Sequence, residues 1–393
     1  MTTKPFLGLF FDNSEHFLSL YPLMASHFRE YRQQFTDAYK LLNNKTKVCF
    51  YTGTGRMELV AQRGVENFRE GLGIEAYNTK DGTSPGGSKN DVLVAISASG
   101  TKKPTLIDVE EAKSKELNMY VIGLTSDDTS PLADKSDLLI KVPGRGKGEE
   151  QIKGYLTRLT GSHLPLHVMG STPEFCSMVK IDCMSYALSN ATDEKSFCDA
   201  FQHALFEYSL YSGDIHRYLE KDRQQRRLEK MIDDISFNVR NLYVTAFKFS
   251  TYTGEMFAIR ANHAIYKRGE RRADIIDSRN VPIKEKIDKK DGLFAISGLG
   301  DSWFTLKVAK MFKERGCKVF GLSMKENSKL SKITGKRNML LFPDCERFPL
   351  KNGYELRLFD VCALAPLDCM AMEVMNRLGK GEEKAKNNHS DFT

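Results

Sequence analysis

The sequence lacks a hydrophobic run long enough to cross a membrane as a helix. Residues 1–11 lack the basic start, the long apolar run and the small-residue cleavage site of a signal peptide. There is also no HxH or HExxH pattern of metal-binding histidines, and no complete GxGxxG or Walker A loop for a nucleotide. We therefore expect a cytoplasmic protein without membrane contact, bound metal or cofactor.

Cysteine is present, but no two cysteines form a CxxC pair, and several of them fall on apolar faces. This pattern favours reduced thiols in the core over disulfides or a metal site. The eight cysteines are Cys49, Cys176, Cys183, Cys198, Cys317, Cys345, Cys362 and Cys369.

The composition is that of a soluble globular protein: 393 residues, of which 41% are hydrophobic and 28% charged. This length is enough for two domains with cores of their own. The net charge is +7, and the lysines are scattered rather than gathered into one basic stripe. We therefore expect no nucleic-acid partner, while a small anionic substrate needs no more positive charge than this.

One pattern occurs twice, at matching positions in the two halves of the chain. Residues 91–100 read DVLVAISASG and residues 291–300 read DGLFAISGLG, so Ser97 corresponds to Ser297. Each is an apolar strand that runs into small and hydroxyl residues ahead of a helix. Free backbone N–H groups and hydroxyls at such a helix start bind anions, most often phosphate. The duplication predicts two copies of one phosphate-binding module.

Strands alternate with helices in both halves, which predicts parallel strands joined by right-handed crossovers. We expect an α/β fold of two tandem domains, residues 1–195 and 196–393. Each is predicted to be a three-layer α/β/α sandwich around a mainly parallel five-stranded sheet, and the two are expected to pack as a pseudo-dimer.

The hydrophobic periodicity predicts long uninterrupted helices over residues 14–42 and 197–233, the second of which connects the two copies. It also predicts a closing helix over 359–378 and a short strand at 281–283. The charged tail after residue 380 is expected to be disordered.

Five short motifs follow one another in the first copy: GTGR at 53–56, DGTSP at 81–85, ISASG at 96–100, VPGRGK at 142–147 and MGSTPEF at 169–175. Their order and spacing resemble those of sugar isomerase (SIS) domains, most of all those of the 6-phospho-3-hexuloisomerases. The resemblance implies interconversion of a 3-hexulose 6-phosphate and fructose 6-phosphate. That enzyme has one such domain per chain and assembles as an oligomer, so we expect a homodimer formed through the SIS domains.

The resemblance implies a catalytic glutamate at Glu174, in MGSTPEF, and a histidine at His263, in FAIRANH. The first copy has Gly71 in place of the histidine, and the second copy has Asp368 in place of the glutamate. In the resembled enzyme the glutamate and histidine of one site come from neighbouring subunits. We therefore expect one working composite site per chain, formed by Glu174 and His263, and a degenerate second site.

The resemblance also implies the residues that bind the substrate. Lys102 stands where the family usually has a threonine, so it supplies a positive charge in place of a hydroxyl. Arg56 either reaches the substrate or braces its turn, and Arg145 is a surface arginine or a subunit contact. The predicted phosphate and substrate ligands are Gly55, Arg56, Ser97, Ser99, Gly100, Thr101 and Lys102, and the degenerate second site comprises Ser250, Ser297, Ser302 and Asp368, with Leu299 in place of the second serine.

Moving a carbonyl from C3 to C2 takes a proton from one carbon and returns it to the next through an enediol(ate). One carboxylate can do both transfers if it is held over the two carbons and partial burial raises its pKa. His263 would open the ring or move a proton between the oxygens, because imidazole titrates near neutral pH. Taken singly, Glu174 also suits an ordinary first-turn glutamate, His263 an ordinary helix histidine and the serine loop a capped turn.

Other functions remain open beside the hexulose phosphate isomerase. The same fold can serve an aldose–ketose isomerase of different substrate, or the isomerase half of an amino-sugar synthase. A third possibility is a non-catalytic regulator that binds a sugar phosphate. No helix-turn-helix pattern is evident, which weakens the DNA-binding version of that regulator.

Overall fold

The computed structural model describes residues 7–43, 48–144, 171–266, 271–277, 287–346, 348, 350 and 354–379. The chain divides into two compact units: the N-terminal unit, Ser19–Ser209, and the C-terminal unit, Met1–Leu18 together with Leu210–Thr393. In this division the start of the chain groups with its second half, whereas the predicted domains are 1–195 and 196–393. The two units are described one at a time, and their packing as a pseudo-dimer stays a prediction.

A five-stranded sheet forms the centre of the N-terminal unit. Its strands are β1 (Cys49–Gly53), β2 (Ala76–Asn78), β3 (Val92–Ile96), β4 (Tyr120–Thr125) and β5 (Leu138–Lys141). The strand order is β2-β1-β3-β4-β5, and all the pairings are parallel. The central strand β3 is buried at every position, as expected for an apolar strand covered by helices on both faces of a parallel sheet.

The C-terminal unit repeats this topology. Its strands are β6 (Leu242–Thr245), β7 (Ala273–Ile276), β8 (Gly292–Ile296), β9 (Lys318–Ser323) and β10 (Met339–Leu341). The order is β7-β6-β8-β9-β10, again with parallel pairings, and β8 occupies the central place of β3. The predicted α/β architecture with two five-stranded sheets is confirmed.

Helices flank both sheets. They are α1 (Gly8–Glu30), α2 (Arg32–Leu42), α3 (Arg56–Glu66), α4 (Lys103–Ala112), α5 (Pro131–Lys135), α6 (Ser171–Asn190), α7 (Glu194–Leu219), α8 (Asp222–Asp233), α9 (Ser250–Ile265), α10 (Trp303–Glu314), α11 (Lys329–Thr334), α12 (Tyr354–Cys362) and α13 (Leu364–Arg377). Two π-helical segments, Asn67–Leu72 and Asp234–Asn238, extend α3 and α8.

Each of the three long predicted helices is interrupted. The helix predicted over 14–42 breaks at Tyr31, whose ψ of 26° leaves the helical range. The helix predicted over 197–233 breaks before α8, where Lys221 has an extended ψ of 132°. The closing helix begins earlier than predicted and breaks between α12 and α13. Apolar periodicity continues through these breaks, because a single residue that leaves helical geometry hardly changes the spacing of its neighbours.

Two edge strands escaped the sequence analysis. β7 is only half buried and carries a weak apolar signal, and β10 has three residues. The strand predicted at 281–283 lies outside the described residues. So do Arg145, the first residues of the MGSTPEF motif and the tail after residue 380.

All eight cysteines are buried free thiols, as the sequence predicted. Within the described ranges, no helix has both the length and the apolar content needed to cross a bilayer.

A buried ion pair links α3 to α6 in the N-terminal unit. Arg63 Nε and Nη2 donate to the two carboxylate oxygens of Asp182, at 2.9 and 2.6 Å, and both side chains are fully buried. Asn67 Nδ2 donates to Asp182 Oδ1 at 2.5 Å, and the Tyr208 hydroxyl donates to Oδ2 at 2.8 Å. Four hydrogen bonds therefore hold this carboxylate in a dry interior, where an ion pair persists only if it is well satisfied.

Lys180, also on α6, is a fully buried lysine whose ammonium donates to the carbonyl of Lys141. Burial lowers its pKa from 10.5 to about 8. Between these two values the unfolded chain holds a proton that the folded chain has released, so the free energy of unfolding rises with pH. Replacing Lys180 by methionine should remove this dependence and raise the free energy of unfolding near pH 7 by roughly 3 kcal/mol.

Urea denaturation from pH 7 to 9.5 measures this difference. Lys310→Met, at an exposed position of α10, is the matched control and should leave the pH profile unchanged. A Lys180→Met protein with the stability and pH profile of the native protein would contradict the prediction.

Candidate functional site

The loop after β3 is a tight turn that only glycine can complete. Gly100 has a φ of 64°, and a Cβ at this position would lie 2.0 Å from Ser130 Oγ. Its N–H donates to the Ser97 carbonyl at 3.0 Å, and its carbonyl accepts from the Leu132 N–H at 3.1 Å. Backbone hydrogen bonds therefore hold this serine loop, residues 97–102, between the end of β3 and the start of α5.

The hydroxyls of the serine loop differ in exposure. Ser97 is 2% exposed, and its Oγ makes no hydrogen bond in the described part of the chain. Ser99 and Thr101 are exposed, and their hydroxyls share a hydrogen bond of 2.8 Å. Lys102 is exposed and stands directly before α4. The loop thus presents hydroxyls, a lysine and the N-terminus of a helix, the groups that bind phosphate in other proteins.

Side chains at the end of β2 and just after it contact the turn between β1 and α3. Gly55 has φ 64° and ψ −130°, a conformation open to glycine. Lys80 Nζ donates to the Gly53 carbonyl at 2.9 Å and forms an ion pair with Glu58. Asn78 Nδ2 donates to the same Glu58 at 2.6 Å. Lys80, Asn78 and Glu58 thus connect the end of β1, the start of α3 and the end of β2.

Arg56 contacts the predicted catalytic acid. Its Nη2 lies 3.0 Å from Glu174 Oε1, and both side chains are nearly buried. Glu174 is in the first turn of α6, far along the chain from Arg56. A guanidinium at this distance can hold the Glu174 side chain in place by a charge-assisted hydrogen bond. The N-terminal unit thus contains a positioned Glu174 side chain and a serine loop.

The corresponding loop of the C-terminal unit has the same backbone but different side chains. Gly300 has a φ of 69°, and its carbonyl accepts from the Leu330 N–H at 2.9 Å. Its N–H donates to Ser297 Oγ at 3.1 Å, so this serine already has a partner. Leu299 is exposed where the first loop has Ser99, and Ser302 stands where the first loop has Lys102. A phosphate would find fewer donors here than in the first loop.

The other polar residues of the second loop region also have protein partners. Ser250 Oγ donates to Asp360 Oδ1 at 2.5 Å. The hydroxyl of Ser302 accepts from Thr305 Oγ1 at 3.3 Å. Phe249 occupies the position of Arg56, and the Arg357 guanidinium lies 4.5 Å from the centre of its ring. These contacts agree with the prediction that the second site is degenerate, which stays a prediction.

Asp368 and His263 lie on two helices that pack together, α13 and α9. Arg260 Nε lies 3.4 Å from Asp368 Oδ2, so the aspartate has an arginine neighbour as Glu174 has. His263 is buried, one turn after Arg260 on α9. An acid, an arginine and an imidazole therefore share this pair of helices.

Glu174 and His263 lie in different units. Their meeting in one composite site, and the role of either residue, stay predictions. The assignment of Gly71 to the place of the histidine stays a prediction. Thr52 pairs with β3 in the same register in which Thr245 pairs with β8. Counting from Thr52 the number of residues that separate His263 from Thr245 leads to Glu70. The first copy has no histidine at either position.

Sequence reasoning missed several side chains around these sites. Asp360, Arg357 and Glu58 belong to no motif, and their partners are distant in the sequence. Arg260 was visible within FAIRANH, three residues before His263, but nothing in the motif indicated its contact with Asp368. Ser126, which follows β4, resembles an ordinary loop serine.

The sheet and serine loop of the N-terminal unit lie in a segment that matches a known protein family. The family model described as SIS domain matches residues 42–148, which contain β1 to β5 and the serine loop. An uncharacterized protein of Aeropyrum pernix is 31% identical over 149 residues, which cover 38% of this chain and 68% of that protein. The chain belongs to the SIS domain family.

The similarity extends to proteins with stated activities. Phosphoheptose isomerase of Cytophaga hutchinsonii is 45% identical over 60 residues, 15% of this chain and 30% of that enzyme. The SIS fold continues beyond the matched family model. The crystal structure of tagatose-6-phosphate ketose/aldose isomerase from Escherichia coli covers 96% of this chain and 94% of its own, with 12% identity and a TM-score of 0.64. At this identity the likeness is one of fold.

Proposed function

We propose that this SIS protein is a sugar-phosphate isomerase that uses Glu174 as its base. The observation that carries the proposal is the nearly buried Glu174 carboxylate, 3.0 Å from Arg56, in the unit that also contains the unpaired Ser97 hydroxyl. Proton transfer on a phosphorylated sugar requires a carboxylate and a phosphate-binding loop, and this unit contains candidates for both. Membership of the SIS family and the names of the similar isomerases support this class of reaction.

The proposed substrate is a 3-hexulose 6-phosphate, and the product is fructose 6-phosphate. Glu174 takes the proton from C2, and the electron pair of the C–H bond forms the C2–C3 double bond of an enediolate. The proton then returns from Glu174 to C3 while the C2 hydroxyl loses its proton, which leaves the carbonyl at C2. His263 is proposed to move the proton between the two oxygens.

Each predicted ligand has a part in this scheme. The hydroxyls of Ser97, Ser99 and Thr101 and the N–H of Gly100 bind the phosphate, and Lys102 adds a positive charge at the mouth of the loop. Arg56 holds Glu174 in place and can contact a substrate oxygen once the carboxylate takes up the proton. Assembly as a homodimer remains part of the proposal, and no cofactor is required.

A second candidate keeps the chemistry and changes the substrate. The similarity to phosphoheptose isomerase and the shared fold with a tagatose-6-phosphate ketose/aldose isomerase favour an aldose–ketose reaction. The third candidate is a regulator that binds a sugar phosphate without turnover, which the altered loop of the C-terminal unit favours.

One assay separates these candidates. The purified full chain is incubated with 3-hexulose 6-phosphate, and fructose 6-phosphate is followed through a coupled dehydrogenase. Parallel incubations with ketose and aldose phosphates of six and seven carbons are followed by NMR. We expect turnover of the 3-hexulose 6-phosphate. Turnover of an aldose–ketose pair alone would favour the second candidate, and binding without any turnover would overturn the enzyme assignment.

A further inference from the structure

Ser126 has a buried hydroxyl at the carboxyl end of the N-terminal sheet. It follows β4 directly, and its side chain is 5% exposed. Its N–H donates to the Ala98 carbonyl in the serine loop at 3.0 Å. Ser126 Oγ makes no hydrogen bond in the part of the chain that the structure describes. Leaving a buried hydroxyl unpaired is unfavourable.

A second buried hydroxyl without a partner among the described residues lies directly after the adjacent strand. Ser97 follows β3, the neighbour of β4, and its N–H donates to the Leu124 carbonyl at 3.0 Å. Both serines thus stand at the carboxyl ends of paired parallel strands, where the ligands of α/β proteins bind. Two buried hydroxyls without a partner among the described residues, at the ends of neighbouring strands, point to a ligand that supplies the missing oxygens.

Ser126 also lies beside the start of the helix that carries Glu174. A Cβ built on Gly144 would lie 2.0 Å from Ser126 Oγ and 2.8 Å from Pro173 Cγ. Both of these atoms are therefore close to the backbone of Gly144. Pro173 precedes Glu174 in α6. Ser126 is therefore placed between the serine loop, through Ala98, and the start of α6, through Gly144 and Pro173.

The C-terminal unit has lost this hydroxyl. The N–H of Met324 donates to the Gly298 carbonyl at 2.9 Å, the same bond that Ser126 makes to Ala98. Met324 thus replaces Ser126, and its Cε would lie 3.3 Å from a Cβ on Gly298. In that unit Ser297 Oγ accepts a hydrogen bond from the Gly300 N–H, and Met324 has no hydroxyl. The pair of unpaired hydroxyls is therefore absent from the described part of the C-terminal unit.

We propose that Ser126 binds the substrate by donating a hydrogen bond to an oxygen of the sugar chain, between the phosphate and the carbons that face Glu174. The inference rests on the proposed function. Ser97 contacts the phosphate itself, and Ser126 positions the carbon chain beside it. Loss of one such hydrogen bond is expected to weaken binding about tenfold.

Calorimetric titration of the full chain with fructose 6-phosphate, and separately with inorganic phosphate, tests this role. Ser126→Ala should weaken fructose 6-phosphate binding about tenfold and raise KM, while phosphate binding stays unchanged. Ser97→Ala should weaken both ligands. Ser177→Ala is the matched control, because Ser177 is fully buried on α6 and its hydroxyl is also unpaired among the described residues. It should weaken neither ligand.

The outcomes separate the inference from the function on which it rests. If the native protein binds fructose 6-phosphate and Ser126→Ala binds it equally well, the inference is wrong and the proposed function stands. An equal loss of phosphate binding in Ser126→Ala would also overturn the inference, since it would make Ser126 a phosphate ligand. If the native protein binds neither ligand, the proposed function fails, and the inference fails with it. Melting temperatures confirm folding, since removal of an unpaired buried hydroxyl should not destabilise either variant.

Discussion

Replacing Glu174 by glutamine is expected to lower kcat for the 3-hexulose 6-phosphate about a thousandfold, the usual contribution of a positioned general base. Glutamine keeps the size of the side chain and can still accept a hydrogen bond from Arg56, but it cannot take up the proton. Binding of fructose 6-phosphate should therefore change little. Steady-state kinetics and calorimetry on the same preparation measure both quantities.

Two further variants serve as comparisons in that experiment. Asp368→Asn makes the same acid-to-amide change at the corresponding position of the C-terminal unit, next to Arg260 instead of Arg56. It should leave most of the activity. His263→Ala should lower turnover far more than Asp368→Asn, because the imidazole is proposed to assist Glu174. Equal losses in Glu174→Gln and Asp368→Asn would contradict the prediction of one working site per chain.

Replacing Asp182 by alanine is expected to lower the free energy of unfolding by about 3–5 kcal/mol, because it leaves the Arg63 guanidinium buried without its counter-ion. Asn67 and Tyr208 lose their acceptor in the same change. Urea denaturation monitored by circular dichroism measures the loss.

The double variant Arg63→Met with Asp182→Leu provides the control. It removes both charges and fills a similar volume with apolar groups, so it should recover much of the lost stability. If the double variant is as unstable as Asp182→Ala, packing rather than the unpaired charge explains the loss. If Asp182→Ala is as stable as the native protein, the ion pair does not stabilise the fold.

Several parts of the candidate site could be predicted because they are local in the sequence. Ser97 and Gly100 follow a strand of five apolar residues, and the glycine turn needs only its own φ and the neighbouring hydrogen bonds. The five-stranded sheets were predictable for the same reason, since buried strands and the helices between them differ in their hydrophobic period. The edge strand β7 was missed because it is only half buried.

The contacts that give those residues chemical character could not be read from the sequence. Neither of the two alternatives for Arg56 included the ion pair that its guanidinium makes with Glu174. Ser126 carries no local signal, because its proposed importance depends on which described residues its buried hydroxyl does and does not contact. The break at Lys221 was hidden because apolar spacing continues through it.

The sequence by itself determined the duplicated strand-and-serine pattern, the α/β class and the membership of the SIS fold. These follow from hydrophobic period and turn chemistry, which act over a few neighbouring residues. Only the tertiary structure decided that Arg56 faces Glu174, that Arg260 faces Asp368 and that Ser126 shares a sheet edge with Ser97. Such contacts arise when parallel strands bring their carboxyl ends to one edge, so residues far apart in the chain become neighbours through packing alone.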